Sequence, residues 1–180
     1  TYRISNTFNS IGSNNLPNIY LLSGEFNDQE LNELYNHPKV KAMFCLTKGE
    51  GFGRPLLEFS LTGKPIIASG WSGHVDFLHK DYVSLLPGSL EKVHPWAANN
   101  WLIEEAQWFK VDDNTSIKRI KEVYKKYKQY HKLSQKQKYH AKKNFSYDKM
   151  VEIVNKSLEK NVPEMAQQVK LNLSQLTKVD

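Results

Sequence analysis

The chain has 180 residues, 39% of them hydrophobic and 24% charged, with a formal net charge of +6. That size and balance suit one soluble globular domain with its own core, and exclude disordered, collagen-like and disulfide-stapled classes. No apolar run approaches the roughly 20 residues of a membrane span, no charged-then-apolar signal segment opens the chain, and the single cysteine, Cys45, has no partner for a disulfide. The expected location is therefore cytoplasmic, where the four sequons at Asn114, Asn144, Asn155 and Asn172 carry no weight.

Residues 1–17 are polar and start at Thr1 without methionine, which reads as the lead-in of a fragment. Asn18–Gly24 has the apolar run and terminal glycine of a strand. Asn27 or Asp28 then caps a helix carrying Leu31, Leu34 and Tyr35 on one face. Lys41–Thr47 is the next strand, and Cys45 within it reads as a buried structural thiol. It delivers the chain to Lys48–Gly53, where Gly49, Gly51 and Gly53 allow a sharp turn and a close approach to a ligand. Pro55 and Gly63 bracket a short helix over 54–62. After the turn at Lys64-Pro65, Ile66–Ser69 is apolar enough for a strand buried on both faces.

Gly70–Gly73 is a loop, His74–Leu78 a short helix, and Val83–Pro87 a further strand. The aromatic bulk at Trp96, Trp101, Trp108 and Phe109 is expected to pack, with a stacking platform for a base as the alternative. From Asp113 the period turns helical. Asn114 or Thr115 serves as cap, and Ile117, Ile120, Tyr124, Tyr127 and His131 form a stripe. Residues 116–143 hold eleven Lys or Arg against one acid, Glu122. Two readings fit that run: the solvated face of a packed helix, or a surface for an anionic membrane or nucleic acid. Phe145–Leu158 is another amphipathic helix, stopped at Pro163, and 163–180 is a trailing segment.

Alternating strands and helices imply an α/β fold, a Rossmann-like parallel sheet with helices on both faces, spanning 18–162 with a helical C-terminal extension. On such sheets ligands bind beyond the carboxyl ends of the strands, where Lys48–Gly53 falls. Glu50 lies in that glycine loop and Glu58 in the helix after it, leaning back towards the loop. Free amides there suit phosphate, and the two carboxylates suit hydroxyls, the two needs of a sugar nucleotide. The bland alternative is a solvated Glu58 paired with a lysine and a loop that merely turns.

Glu50-Gly-Phe-Gly-Arg-Pro-Leu-Leu-Glu58, followed by Gly63-Lys-Pro-Ile-Ile-Ala-Ser, resembles the E-x7-E signature of retaining family-4 glycosyltransferases of the GT-B fold. The resemblance runs from about Asn18 to Leu86, with Gly73-His-Val-Asp76 matching a further family loop and Phe145-Ser-Tyr-Asp-Lys-Met a tail phrase. It implies the C-terminal, donor-binding half of a metal-independent hexosyltransferase whose substrate is a nucleotide-diphosphate sugar and which needs no cofactor. By resemblance Glu50 is the catalytic-site carboxylate that holds the donor sugar, and Glu58 holds the ribose. Gly51, Phe52, Gly53, Arg54, Lys48, Gly73 and His74 are the expected donor-binding set, and His74 reads either as a hydrogen-bond donor to sugar or phosphate or as an exposed loop histidine. The family's diphosphate-binding Arg and Lys have no counterpart ahead of Asn18, so Lys48, Arg54 and Lys64 substitute or part of the domain lies elsewhere. The N-terminal domain that binds the acceptor, be it glycan, lipid or protein, is likewise outside the resemblance.

No Asp-x-Asp, zinc-type His/Cys cluster, Walker loop or nucleophile elbow occurs in the sequence. Two other readings stay open. A glycosidase would use Glu50 and Glu58 as its carboxylate pair. A non-catalytic module would bind a sugar nucleotide or a membrane surface.

Overall fold

A computed structural model of the chain describes residues 6, 17–99, 102–103 and 105–163. Most of the lead-in, Trp101 and the trailing segment from 164 onward lie outside the described residues. The chain divides after Leu34 into two compact units.

In the first unit the expected strand Asn18–Gly24 is not formed. The segment is irregular and leaves Ile19, Tyr20, Leu21 and Leu22 exposed, Tyr20 at 82%. Strand composition yields a strand only where a neighbouring edge supplies ladder hydrogen bonds. Helix α1 (Asp28–Asn36) starts as its sequence demands. Asn27 Oδ1 accepts from the Glu30 amide at 2.9 Å, and Glu30 Oε2 accepts from the Asn27 amide at 2.9 Å, a reciprocal cap.

In the second unit, β1 (Met43–Cys45), β2 (Ile66–Ser69) and β3 (Ser84–Leu86) form a parallel sheet in the order β1-β2-β3. Met43 stands opposite Ile66, and Ile67 opposite Ser84. Strand β2 is central and buried throughout, which is why it reads as an unbroken apolar run. Its side chains alternate between two cores. Ile66 and Ala68 join Leu56, Phe59, Phe77 and Leu78, whereas Ile67 joins Leu86, Phe109, Val111 and Val123. Leu56 and Phe59 come from α2 (Arg54–Ser60), and Val123 comes from α3 (Asp113–Lys125). The fold is mixed α/β, a three-stranded parallel sheet flanked by helices.

An antiparallel pair, β4 (Gly88–Lys92) with β5 (Gln107–Val111), was not legible beforehand. It puts Phe109 into the second core. Trp96, expected to pack, sits on a 3₁₀ turn (Pro95–Ala97) and is 71% exposed. That turn belongs to the connection between β4 and β5, and connections run over the surface because their backbone groups need solvent.

Helix α3 is capped by Asp112 rather than Asn114 or Thr115, its Oδ1 accepting from the Thr115 amide at 2.6 Å. It breaks at Lys126, where φ is −108° and ψ 32°, and α4 (Tyr127–Asn144) begins at once. The expected stripe is not the buried face: Ile117, Ile120 and Tyr124 face solvent while α3 packs through Ser116 and Val123, and the break sets the half-buried Tyr127 and His131 on α4. Helix α4 docks through Ser134, Gln137 and Ala141. Gln137 donates to the Phe77 carbonyl at 2.7 Å and accepts from the His79 amide at 3.0 Å, while Gln135 donates to the Gly63 carbonyl at 2.9 Å. Side-chain amides thus satisfy turn backbone groups that would otherwise be buried without partners. Lys128, Lys132, Lys136, Lys142 and Lys143 of α4 are exposed, as both readings of the basic run require.

Helix α5 (Tyr147–Asn161) is capped by Ser146, whose Oγ accepts from the Lys149 amide at 3.2 Å. On it, Glu152 bonds Lys149 and Lys156, each at 2.7 Å, and these two hydrogen bonds lower its carboxyl from 4.5 to about 2. A depressed carboxyl stabilises the fold above its ordinary value and loses that contribution as pH falls through the folded one. Thermal melts of wild type and Glu152→Gln, followed by circular dichroism, should therefore differ at neutral pH and converge between 4.5 and about 2. Among the described residues no helix is long and apolar enough to cross a membrane.

Candidate functional site

Two loops leave the carboxyl edge of the sheet, Lys48–Gly53 after β1 and Gly70–Gly73 after β2. They are zipped together at Glu50. Ser72 Oγ accepts from the Glu50 amide at 2.9 Å and donates to the Glu50 carbonyl at 2.7 Å. The Gly73 amide donates to the same carbonyl at 3.0 Å. A Cβ at Gly73 would overlap the Gly51 carbonyl oxygen, so only glycine permits this approach. Among the described residues Ser72 is the one non-glycine with positive φ, at 84°. Such a conformation costs about 1–3 kcal/mol and persists only where its surroundings enforce it. Here the two bonds to Glu50 enforce it.

The backbone of Glu50 is thereby fixed, and its side chain is half-buried. Burial pushes the nearby Cys45 thiol up, with the Glu50 carboxylate adding to the effect, as suits a structural and unreactive cysteine. Glu58 is held far less firmly. Its carboxylate pairs with Arg54 at 3.0 Å, with 39% and 72% of the two side chains exposed. An exposed pair one helical turn apart contributes only about 0.3–0.5 kcal/mol, so a ligand displaces it easily. The partner expected for a solvated Glu58 was a lysine, and it is Arg54.

Gly53 is the left-handed N-cap of α2 at φ 85°, without a side-chain cap. The helix end offers less to an anion than its sequence implies. Pro55 has no N–H, the Leu56 and Leu57 amides bond the Gly53 carbonyl, and the helix is only 7 residues long. The backbone donors left at this edge are amides of the loop rather than of the helix end. Gly51 is the open part of that loop, with nothing within 4 Å of where a Cβ would stand.

The other expected residues divide. Lys48 is at the rim, its Nζ 3.4 Å above the Trp108 ring and its carbonyl accepting from the Phe109 amide at 2.9 Å. Phe52 turns towards α5: it leans on Phe77 at 5.1 Å and lines an apolar cavity of about 400 Å³ with Leu57, Phe145, Met150 and Ile153. Lys64 lies before β2, at the opposite edge of the sheet, and donates to the Tyr35 and His37 carbonyls at 2.5 and 2.9 Å. It is no substitute for a diphosphate-binding lysine. His74, expected either as a hydrogen-bond donor to the ligand or as an exposed loop histidine, is 0% exposed, with Nε2 2.6 Å from the Ser69 carbonyl oxygen. That nitrogen carries the hydrogen, because a carbonyl only accepts, so the donor is spent within the protein.

Two buried polar atoms have no partner among the described residues, His74 Nδ1 and Thr47 Oγ1. Such orphans are rare in folded proteins. Both belong to residues that follow β1 or β2, at the carboxyl edge, where a ligand or water could satisfy them. Sequence reasoning missed Trp71 and Ser72. The backbone angle of Ser72 has no sequence signal, whereas an aromatic at a strand exit between glycine and serine was visible. Trp71 stacks on Phe109 with ring centroids 5.8 Å apart and planes 7° from parallel. Among the described residues there is no group of three or more His, Cys, Asp or Glu that could hold a metal ion. In comparisons with known proteins, no family model, no curated protein and no solved structure matches the chain.

Proposed function

We propose that the chain is the donor-binding half of a retaining, metal-independent hexosyltransferase, a Rossmann-like C-terminal half of a GT-B fold that takes a nucleotide-diphosphate sugar. The observation that carries this reading is the pair Glu50 and Glu58 flanking one glycine loop at the carboxyl edge of a parallel sheet, the first pinned and the second weakly held. Glu58 accepts hydrogen bonds from the ribose hydroxyls, which frees Arg54 for the diphosphate. The amides of Gly51–Gly53 share that charge. Glu50 accepts from hydroxyls of the donor sugar beside the reacting carbon. The bond from that carbon to the diphosphate breaks, the acceptor oxygen bonds to the same face, and a phosphate oxygen takes the acceptor's proton. The protein then acts chiefly by stabilising the charge left on the diphosphate. The acceptor is held by an N-terminal domain.

Titration calorimetry with UDP, GDP and ADP and their sugars, in the presence of chelator, tests this. Glu58→Gln keeps the shape but loses charge-assisted bonds of roughly 1.5–3 kcal/mol, so nucleotide affinity should fall about ten- to hundredfold. Glu50→Gln should spare the free nucleotide and weaken only the sugar nucleotide. An unchanged affinity in folded Glu58→Gln returns that residue to a surface pair, and strict dependence on Mg²⁺ or Mn²⁺ removes the metal-free mechanism.

A further inference from the structure

Trp71 has an environment that packing alone does not explain. It lies in the loop after β2, one residue before the strained Ser72, and it is 39% exposed. Phe109, itself only 7% exposed, backs one face of the indole in near-parallel stacking. A Cβ at Gly49 would lie 3.6 Å from Trp71 Cζ3, so the edge of the indole abuts the residue before Glu50. A large aromatic is thus braced from behind and left partly open beside the loop in which the backbone of Glu50 is held. The backbone strain at Ser72 is sustained in the same loop, and strain of this kind gathers at ligand sites.

Its side of the sheet narrows the ligand. Glu58 follows from α2, whose Leu56 and Phe59 belong to the first core, whereas Phe109 beneath Trp71 belongs to the second. Glu58 and Trp71 therefore belong to elements packed on opposite faces of the sheet. Carboxylate beside aromatic face is the chemistry of a pyranose: ring C–H groups meet the apolar face, and hydroxyls around the ring's rim reach the carboxylate. We infer that Trp71, with Glu50, is a sugar-ring platform and the specificity-determining residue of this site for its carbohydrate. The choice of ligand rests on the glycosyltransferase reading. The ring belongs either to the donor sugar or to an acceptor glycan, which the two arms of the test separate.

The test follows the Trp71 indole signal in ¹⁵N-labelled protein, assigned with Trp71→Phe. One arm adds UDP-glucose or GDP-mannose against UDP or GDP; the other adds glucose-, galactose- and mannose-terminated oligosaccharides without nucleotide. Trp71 should shift with a sugar-bearing probe and not with the bare nucleotide. Trp71→Ala should weaken that probe about tenfold, and Trp71→Phe about threefold or less, while bare nucleotide affinity stays within about twofold. A shift in the first arm assigns the donor sugar, and a shift in the second the acceptor. Binding of free oligosaccharides at Trp71 with no nucleotide binding anywhere would leave the platform standing and remove the donor-site function. An equal response to bare nucleotide would make Trp71 a base platform and overturn the inference, as would no response to any sugar-bearing probe.

Discussion

Residues 1–180 by themselves are expected to transfer no sugar at an enzymatic rate. In the proposed enzyme the reaction occurs between two domains, and the acceptor is held by the partner of the one described. Fixing the acceptor oxygen at near-attack distance from the donor carbon can account for about 7–11 kcal/mol of barrier. At about 1.36 kcal/mol per decade, losing it lowers the rate by roughly five to eight orders of magnitude. An uncovered donor site also admits water, which screens the loop amides and Arg54 that would stabilise the departing diphosphate. The assay supplies labelled UDP- and GDP-sugars with mixed lipid, glycan and protein acceptors. Turnover at an ordinary enzymatic rate by this chain alone would mean that it carries its own acceptor site.

The second large effect is expected at Gly73. Alanine there drives a Cβ into the Gly51 carbonyl, and backbone cannot yield as the end of a flexible side chain would. Relief requires the two loops to part, breaking the bonds of the Gly73 amide and the Ser72 hydroxyl to Glu50. Three bonds at about 1 kcal/mol each give a loss of roughly 3 kcal/mol. For a unit of this size that lowers the melting temperature by about 6–12 °C. Sugar-nucleotide affinity should fall more than that of bare nucleotide, because Glu50 loses its position while Glu58 does not. Gly51→Ala is the matched control. Its Cβ meets nothing, so stability should stay within about 0.5 kcal/mol. Equal losses in the two variants, read by calorimetry, would remove the zipped-loop account of Glu50.

The sequence by itself was enough for the elements whose causes are local. Asn27 and Pro55 act within a few residues of themselves, so the starts of α1 and α2 could be read, whereas α5 starts at Tyr147 after its Ser146 cap and not at Phe145. Strand β2 was legible because burial on both faces leaves an unbroken apolar run. Glu50 and Glu58 could be placed at one edge because a loop after a parallel strand lies at its carboxyl end. What sequence could not decide depended on partners distant along the chain. Asn18–Gly24 has strand composition but no strand, since pairing needs a second edge. Lys64 was drawn to the Tyr35 and His37 carbonyls and His74 to that of Ser69, each leaving the expected ligand set because a backbone acceptor stood within reach. The stripe of α3 failed because the helix docks by Ser116 and Val123 instead, a choice of face made by the second core, and the break at Lys126 is announced by no residue type. The strain at Ser72 arises where the loops after β1 and β2 meet, and the stacking of Trp71 on Phe109 where the second of those loops meets β5, so only the tertiary structure could decide what stands beside Glu50.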